Sequence, residues 1–194
     1  MSTTPLPTPA SLSIVHYPAQ VLRVRCDEVP EVTNEVRQIA ERMIELMTIA
    51  RGIGLACPQV GIRWRMFVCD VPADEDALQT LDPKSGRQEF TQGPQVYINP
   101  VLRDAQGPVE SMSEGCLSLP DIRGEVNRPR SITIDALDLN GNPVTLETTG
   151  LLARCIQHEN DHLDGVLIID RMTHLSKLRS KSAVRSLERA AGLR

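Results

Sequence analysis

Two histidines four residues apart with a glutamate between them, His158-Glu159-Asn160-Asp161-His162, are the residues of this chain best suited to chemistry. On an α-helix, residues four apart project about 40° from each other, so both imidazoles can face one metal ion. Glu159 lies about 60° from His162 on the same side, within reach of a water at that ion without being a ligand. The pattern is that of a hydrolytic metal site. The competing reading is a solvated helix whose histidines share this spacing by accident. Burying a His-Glu-His set in line with an apolar stripe is costly without a cation or partners, which favours the metal.

The elements that would position these groups are visible in the periodicity. Leu151, Leu152, Cys155 and Ile156 form an apolar stripe that His158, Glu159 and His162 continue. Thr148 and Thr149 can cap the start of this helix, and Gly165 suits its exit after Asp164. A second helix begins at Thr33 or Asn34, buries Val36, Ile39, Met43, Leu46, Met47 and Ala50, and stops at Gly52. Strand patterns fall at 65–69, 95–99, around 116–119, at 132–139 and at 144–147, the last two joined across Asn140-Gly141-Asn142. Residues 74–93 are polar and irregular and read as a surface insertion. The expected fold is α+β, with antiparallel β-sheets around a central H-E-x-x-H helix and a C-terminal helix.

A catalytic metal needs a third ligand and one open position. The cysteines are Cys26, Cys57, Cys69, Cys116 and Cys155. Cys26 and Cys69 sit among apolar residues, and Cys155 falls one turn before His158. Cys116 follows a flexible glycine in Glu114-Gly115-Cys116-Leu117-Ser118-Leu119-Pro120, but on residue type alone it too reads as a core thiol. The residues themselves leave the third ligand open.

The 194 residues are 41% hydrophobic and 24% charged, as expected of one soluble globular domain. No apolar run is long enough to span a bilayer, and no membrane partner is expected. Five scattered thiols suggest a reducing compartment, so the expected location is cytoplasmic. Residues 1–13 read as a flexible tail, 14–170 as the catalytic domain and 171–194 as a basic C-terminal helix. Arg171 to Arg194 carries seven basic residues against Glu188 alone. Of the chain's 21 basic and 25 acidic residues, 14 and 24 therefore remain in the body, leaving it at net −10 against a tail of +6. A solvated face explains most charge runs, but so complete a reversal suits an anionic partner such as RNA. Leu175, Leu178 and Leu187 are placed toward the body of the protein.

Three separated segments together resemble the peptide deformylase family: Gly52-Ile53-Gly54-Leu55-Ala56-Cys57-Pro58-Gln59, Glu114-Gly115-Cys116-Leu117-Ser118, and Gln157-His158-Glu159-Asn160-Asp161-His162. The run Ile14–Pro30, with Tyr17-Pro18 and Val21-Leu22-Arg23, is similar to that family's opening, so the likeness spans about residues 14 to 170. Cys57 departs from the usual alanine, and the 74–93 segment is long. The resemblance implies that Cys116, His158 and His162 bind one divalent ion and that Glu159 is the general acid/base. It also implies that Gln59 and the Leu117 backbone N–H hold the developing oxyanion. Fe(II) is implied as the native ion, with Zn, Ni or Co able to occupy the site in purified protein. The ion makes hydroxide available from water at neutral pH, and Glu159 passes the proton to the departing amine.

The implied substrates are N-formylmethionyl nascent peptides, with formate as the other product. Gly52, Ile53 and Leu151, with the backbone near Cys155, are candidates for the methionine pocket. Gly54 is where peptide backbone could approach closely, and Arg123 is a candidate contact to the substrate backbone. The resemblance also implies that the basic C-terminal segment docks on the ribosome. Arg128 and Glu114 are read as a buried pair supporting Cys116, Cys57 as an alanine substitute or accessory oxidation site, and His16 and His174 as surface residues. Two rivals stand beside this reading. A zinc endopeptidase shares H-E-x-x-H, although its familiar third ligands are His or Glu. A ribosome- or RNA-binding module with a structural metal would need four protein ligands and would give Glu159 no task.

Overall fold

A computed structural model describes residues 7–73 and 86–193. Five strands form one antiparallel sheet in chain order: β1 (Gly54–Ala56), β2 (Met66–Cys69), β3 (Gln95–Cys116), β4 (Leu119–Leu137) and β5 (Pro143–Thr149). Helix α1 (Asn34–Ile49) precedes the sheet; α2 (Gly150–Leu163), the short α3 (Ile168–Arg171) and α4 (His174–Ala190) follow it. Thr33 caps α1, its side chain accepting from the Val36 N–H.

The sheet is covered on both faces, and β2 shows why. All four of its residues are buried. Met66 and Val68 pack with Val36, Ile39, Met43 and Met47 of α1. Phe67 and Cys69 point the other way, into a second core with Leu152, Ile156 and Leu163 of α2. Alternate residues of a strand face opposite sides, so a run without polar positions is what a doubly covered strand requires.

β3 and β4 are longer than the periodicity suggests. β2 pairs with β3 only as far as Ile98, and β5 meets β4 from Ser131 onward. Beyond these, Val109–Cys116 and Leu119–Pro129 pair with each other, after register shifts near Val101, Gln106 and Val109, and Val126 adds a single bridge to Met172. This arm carries Cys116 to its tip, where Cys116 pairs with Leu119. The Asn140-Gly141-Asn142 turn closes as expected, with Gly141 at φ +81° and the Asp138 carboxylate accepting from the N–H groups of Asn140 and Asn142.

The structure differs from the sequence expectations at the N-terminal segment and on α4, and describes part of the expected insertion. The tail expected over 1–13 is packed where it is described: Pro9–Ser11 form a 3-10 turn and Leu12 is buried against the α1 core. In the expected 74–93 insertion, residues 74–85 lie outside the described residues. Gln88 beyond them is pinned to β5, donating to the Glu147 carbonyl at 2.9 Å and accepting from the Thr149 N–H at 3.0 Å. On α4, Leu175 and Leu178 do not face the body but are 56% and 55% exposed. The inward stripe is Ser176, Ser180, Val184 and Leu187, because the backbone of β4 at Glu125 and the thioether of Met172 come close there. The Glu125 N–H donates to Ser176 Oγ at 3.0 Å, and Ser180 Oγ lies 3.6 Å from Met172 Sδ. Among the described residues no helix is long and apolar enough to cross a membrane.

Candidate metal centre

Helix α2 starts at Gly150, where φ is +60°, and buries Leu152, Ala153, Ile156 and Leu163 against the sheet. The same face then presents His158, Glu159 and His162 toward the tip of the β3–β4 arm. One ligand atom each from Cys116, His158 and His162 lies within 4.8 Å of the others. Cys116 Sγ is 3.2 Å from His162 Nε2, and the two rings stand edge to face with centroids 5.0 Å apart. A thiol from the sheet and two imidazoles from the helix thus converge although 42 residues separate Cys116 from His158.

The electrostatics act on the two imidazoles and on the carboxylate behind them. His158 Nδ1 lies 3.0 Å from Glu114 Oε2, which leaves Nε2 for a metal. Burial alone would raise the Glu114 carboxyl, but hydrogen bonds from His158 and Arg128 and the Arg128 charge outweigh it and hold it at about 2. Burial would lower His158, yet contacts with Cys116 and Glu114 carry it well above the usual histidine range. His162 is lowered by burial and by the neighbouring His158, and so is neutral, as a ligand must be.

Glu159 is placed beside the triad without joining it. It is 4% exposed, and burial pushes its carboxyl up to about 7. Its Oε2 is buried without a hydrogen-bond partner among the described residues. A Cβ on Gly54 would stand 2.3 Å from Oε1, so the backbone of β1 runs directly against this carboxylate. Gln59 approaches from the other side. Its Oε1 accepts from the Ala56 N–H at 2.8 Å, which turns Nε2 toward Ser118 Oγ at 3.2 Å and Cys116 Sγ at 3.5 Å. The segment behind is fixed to the same groups, with the Val15 and Tyr17 N–H groups donating to the carbonyls of Gln59 and Ser118.

A cavity of about 810 Å³ opens over these groups. Gly52, Ile53, Gly54, Leu117, Arg123 and Leu151 all line it, together with Cys116, His158 and Glu159. Gln59 and His162 are not among the lining residues and are each 1% exposed. Arg123 also donates to the Ser113 carbonyl at 3.3 Å. His16, expected as a plain surface residue, is exposed at the cavity mouth. Cys57 points away from the triad into the α1 core, 3.5 Å from Met43 Sδ, and burial pushes its thiol well up, so it is an inert core residue.

Several supporting residues escape a reading by motif. The Glu114–Arg128 pair is present, at 2.7 and 3.0 Å, but Glu114 also takes Arg154 of α2 at 2.7 Å. Asp161 accepts from both Arg128 and Arg171. Met112 and Ser118 join the cavity wall and the Gln59 contact. The available signal was spacing: Glu114 precedes Cys116 by two on a strand, and Arg154 precedes His158 by four on a helix.

Comparison with known proteins agrees with this arrangement. Residues 11–178 match the family described as polypeptide deformylase. Peptide deformylase 2 of Gloeobacter violaceus is 45% identical over 153 residues, which is 79% of this chain and 74% of that protein. Peptide deformylase of Thermodesulfovibrio yellowstonii is 39% identical over 168 residues, covering 87% and 93%. The crystal structure of peptide deformylase from Ehrlichia chaffeensis superposes with a TM-score of 0.82 at 34% identity, covering 93% of this chain and 98% of that one.

Proposed function

The chain belongs to the polypeptide deformylase family, and we propose that Cys116, His158 and His162 hold the divalent ion on which its hydrolysis depends. As a peptide deformylase it removes the N-formyl group from formylated nascent peptides and releases formate. The observation that carries the assignment is the convergence of one thiol and two imidazoles within 4.8 Å beside a buried, unpartnered carboxylate oxygen. Three donors of this kind suit a catalytic ion, because a fourth position stays open. When bound, the ion polarises the formyl carbonyl and makes water acidic enough to attack at neutral pH.

The chain's own residues do the rest. Glu159 takes the proton of the attacking water at its free oxygen and delivers it to the departing amine nitrogen. Gln59 Nε2 and the Leu117 N–H donate to the oxygen that gains charge, Gln59 with its amide already oriented by the Ala56 N–H. Ile53 and Leu151 supply apolar wall for the methionine side chain, and Gly52 and Gly54 let its backbone lie close. Gly54→Ala should therefore cut formate release about 100-fold, the typical cost of displacing a catalytic group by roughly 1 Å. Formate assays beside metal content test this, and wild-type turnover in that variant would reject the close approach.

A thiolate with two imidazoles accommodates both zinc and Fe(II), and we assign Fe(II) as the native ion. Elemental analysis of protein purified without oxygen, paired with deformylation of formyl-Met-Ala-Ser, tests the assignment. Iron in near-stoichiometric amount, with activity lost in air as iron is lost, is expected. A fully active, air-stable zinc protein from the same preparation would overturn it.

The setting proposed for the enzyme is the cytosol, at the ribosome. The five free thiols support a reducing compartment. The exposed Lys177, Arg179, Lys181, Arg185 and Arg189 of α4 support contact with ribosomal RNA. Because Val184 and Leu187 pack α4 onto the core, substitution is a cleaner test than deletion. Changing Arg179, Lys181 and Arg185 to Gln should weaken ribosome cosedimentation. The slope of log affinity against log salt should fall by roughly 0.7–0.9 for each phosphate that is no longer neutralised. An unchanged slope rejects docking through α4.

A further inference from the structure

Arg154 lies one turn before His158 on α2, between buried Ala153 and Cys155, and is itself 6% exposed. Its Nη1 donates to Glu114 Oε1 at 2.7 Å and to the Val126 carbonyl at 3.0 Å, and its Nη2 donates to the Glu110 carbonyl at 2.7 Å. Glu114 is in turn fully engaged. Oε1 also accepts from Arg128 Nε at 2.7 Å, while Oε2 accepts from Arg128 Nη2 at 3.0 Å and meets His158 Nδ1 at 3.0 Å. The carbonyls of the arm therefore fix the guanidinium, the guanidinium fixes one oxygen of Glu114, and the other oxygen fixes the His158 ring.

We propose that Arg154 is a positioning residue of the metal centre, acting through Glu114 to hold His158 with Nε2 directed to the ion. The inference rests on the ligand set proposed above. A contribution to stability is expected of any member of a buried ion network, and the geometry gives this residue a second task. Arg128 already pairs with both oxygens of Glu114, so the carboxylate keeps a cationic partner without Arg154. What an apolar residue cannot do is span a carboxylate and two carbonyls on separate strands. Lysine cannot do so either, because its donors radiate from one point, whereas guanidinium offers a planar fork. Partners of this kind behind a ligating histidine typically contribute about 10- to 100-fold in metal affinity.

The test uses metal-free full-length protein in six forms: wild type, R154M, R154K, E114Q, the R154M/E114Q double variant and C116A. Zn2+ affinity is measured by competition with a chromophoric chelator, Co2+ absorption reports the coordination, and melting of the metal-free proteins reports the fold. R154M should bind Zn2+ about 10- to 100-fold more weakly, R154K should fall between it and wild type, and the Co2+ bands should shift. In the E114Q background R154M should add less than about 3-fold, since the route to His158 is already broken. A lower melting temperature with Zn2+ affinity within about 3-fold of wild type would show a structural role only and overturn the proposal. So would an equal loss in both backgrounds. If R154M fails to fold, R154K carries the same reading: unchanged affinity overturns the inference, and weakened affinity with melting near wild type supports it. C116A separates the premise from the inference. Undiminished Zn2+ binding by C116A would reject the ligand set, whereas weak C116A beside an intact R154M would reject only the role of Arg154.

Discussion

Replacing Glu159 by alanine should lower formate release from formyl-Met-Ala-Ser by about 100-fold or more while metal content stays at the wild-type level. The two halves of this expectation come from one geometry. The carboxylate stands beside the triad, with its Oε2 buried and unpartnered, but it is not one of the three converging ligand atoms. Its burial raises the carboxyl to about 7, close to the pH at which a proton must be taken up and handed on. Formate assay and elemental analysis on one preparation decide the matter. Full activity in the variant would remove Glu159 from the reaction, and loss of metal would make it a ligand.

Cys116→Ala should show the opposite signature, with metal and activity lost together. In the proposed ligand set Cys116 is the donor supplied by the sheet; without it the remaining donors are two imidazoles on one helix. The loss of affinity should exceed the roughly 10- to 100-fold that removal of an outer partner costs. Stoichiometric metal on purified C116A would show that another group, or none, completes the site.

The two variants also mark how far the sequence could be read. Helices α1 and α2 are legible because each buries one stripe at helical spacing, and His158, Glu159 and His162 continue such a stripe. The β3–β4 arm is not legible. From Val101 to Ser113 its residues are mostly exposed, so no alternation of apolar and polar side chains marks the strand, and pairing with β4 alone defines it. Cys116 sits at the tip of that arm, which is why residue types left the third ligand open and only the family resemblance selected it. Arg154 hid for a related reason. An arginine on a helix reads as solvated, and its burial depends on carbonyls of strands far away in sequence. On α4 the leucines misled in the other direction: Ser176 faces inward to accept from the β4 backbone at Glu125, and Ser180 faces inward against Met172 Sδ.

Glu188, the lone acid of the C-terminal segment, adds little negative charge to the outer surface of α4, because its Oε1 turns inward to accept from Tyr17 Oη at 2.9 Å. The helix consequently shows solvent a nearly unmixed positive face, while the remainder of the molecule is strongly negative. A particle polarised in this way turns in the field of a large polyanion before touching it, so encounters are sorted by orientation as well as accelerated.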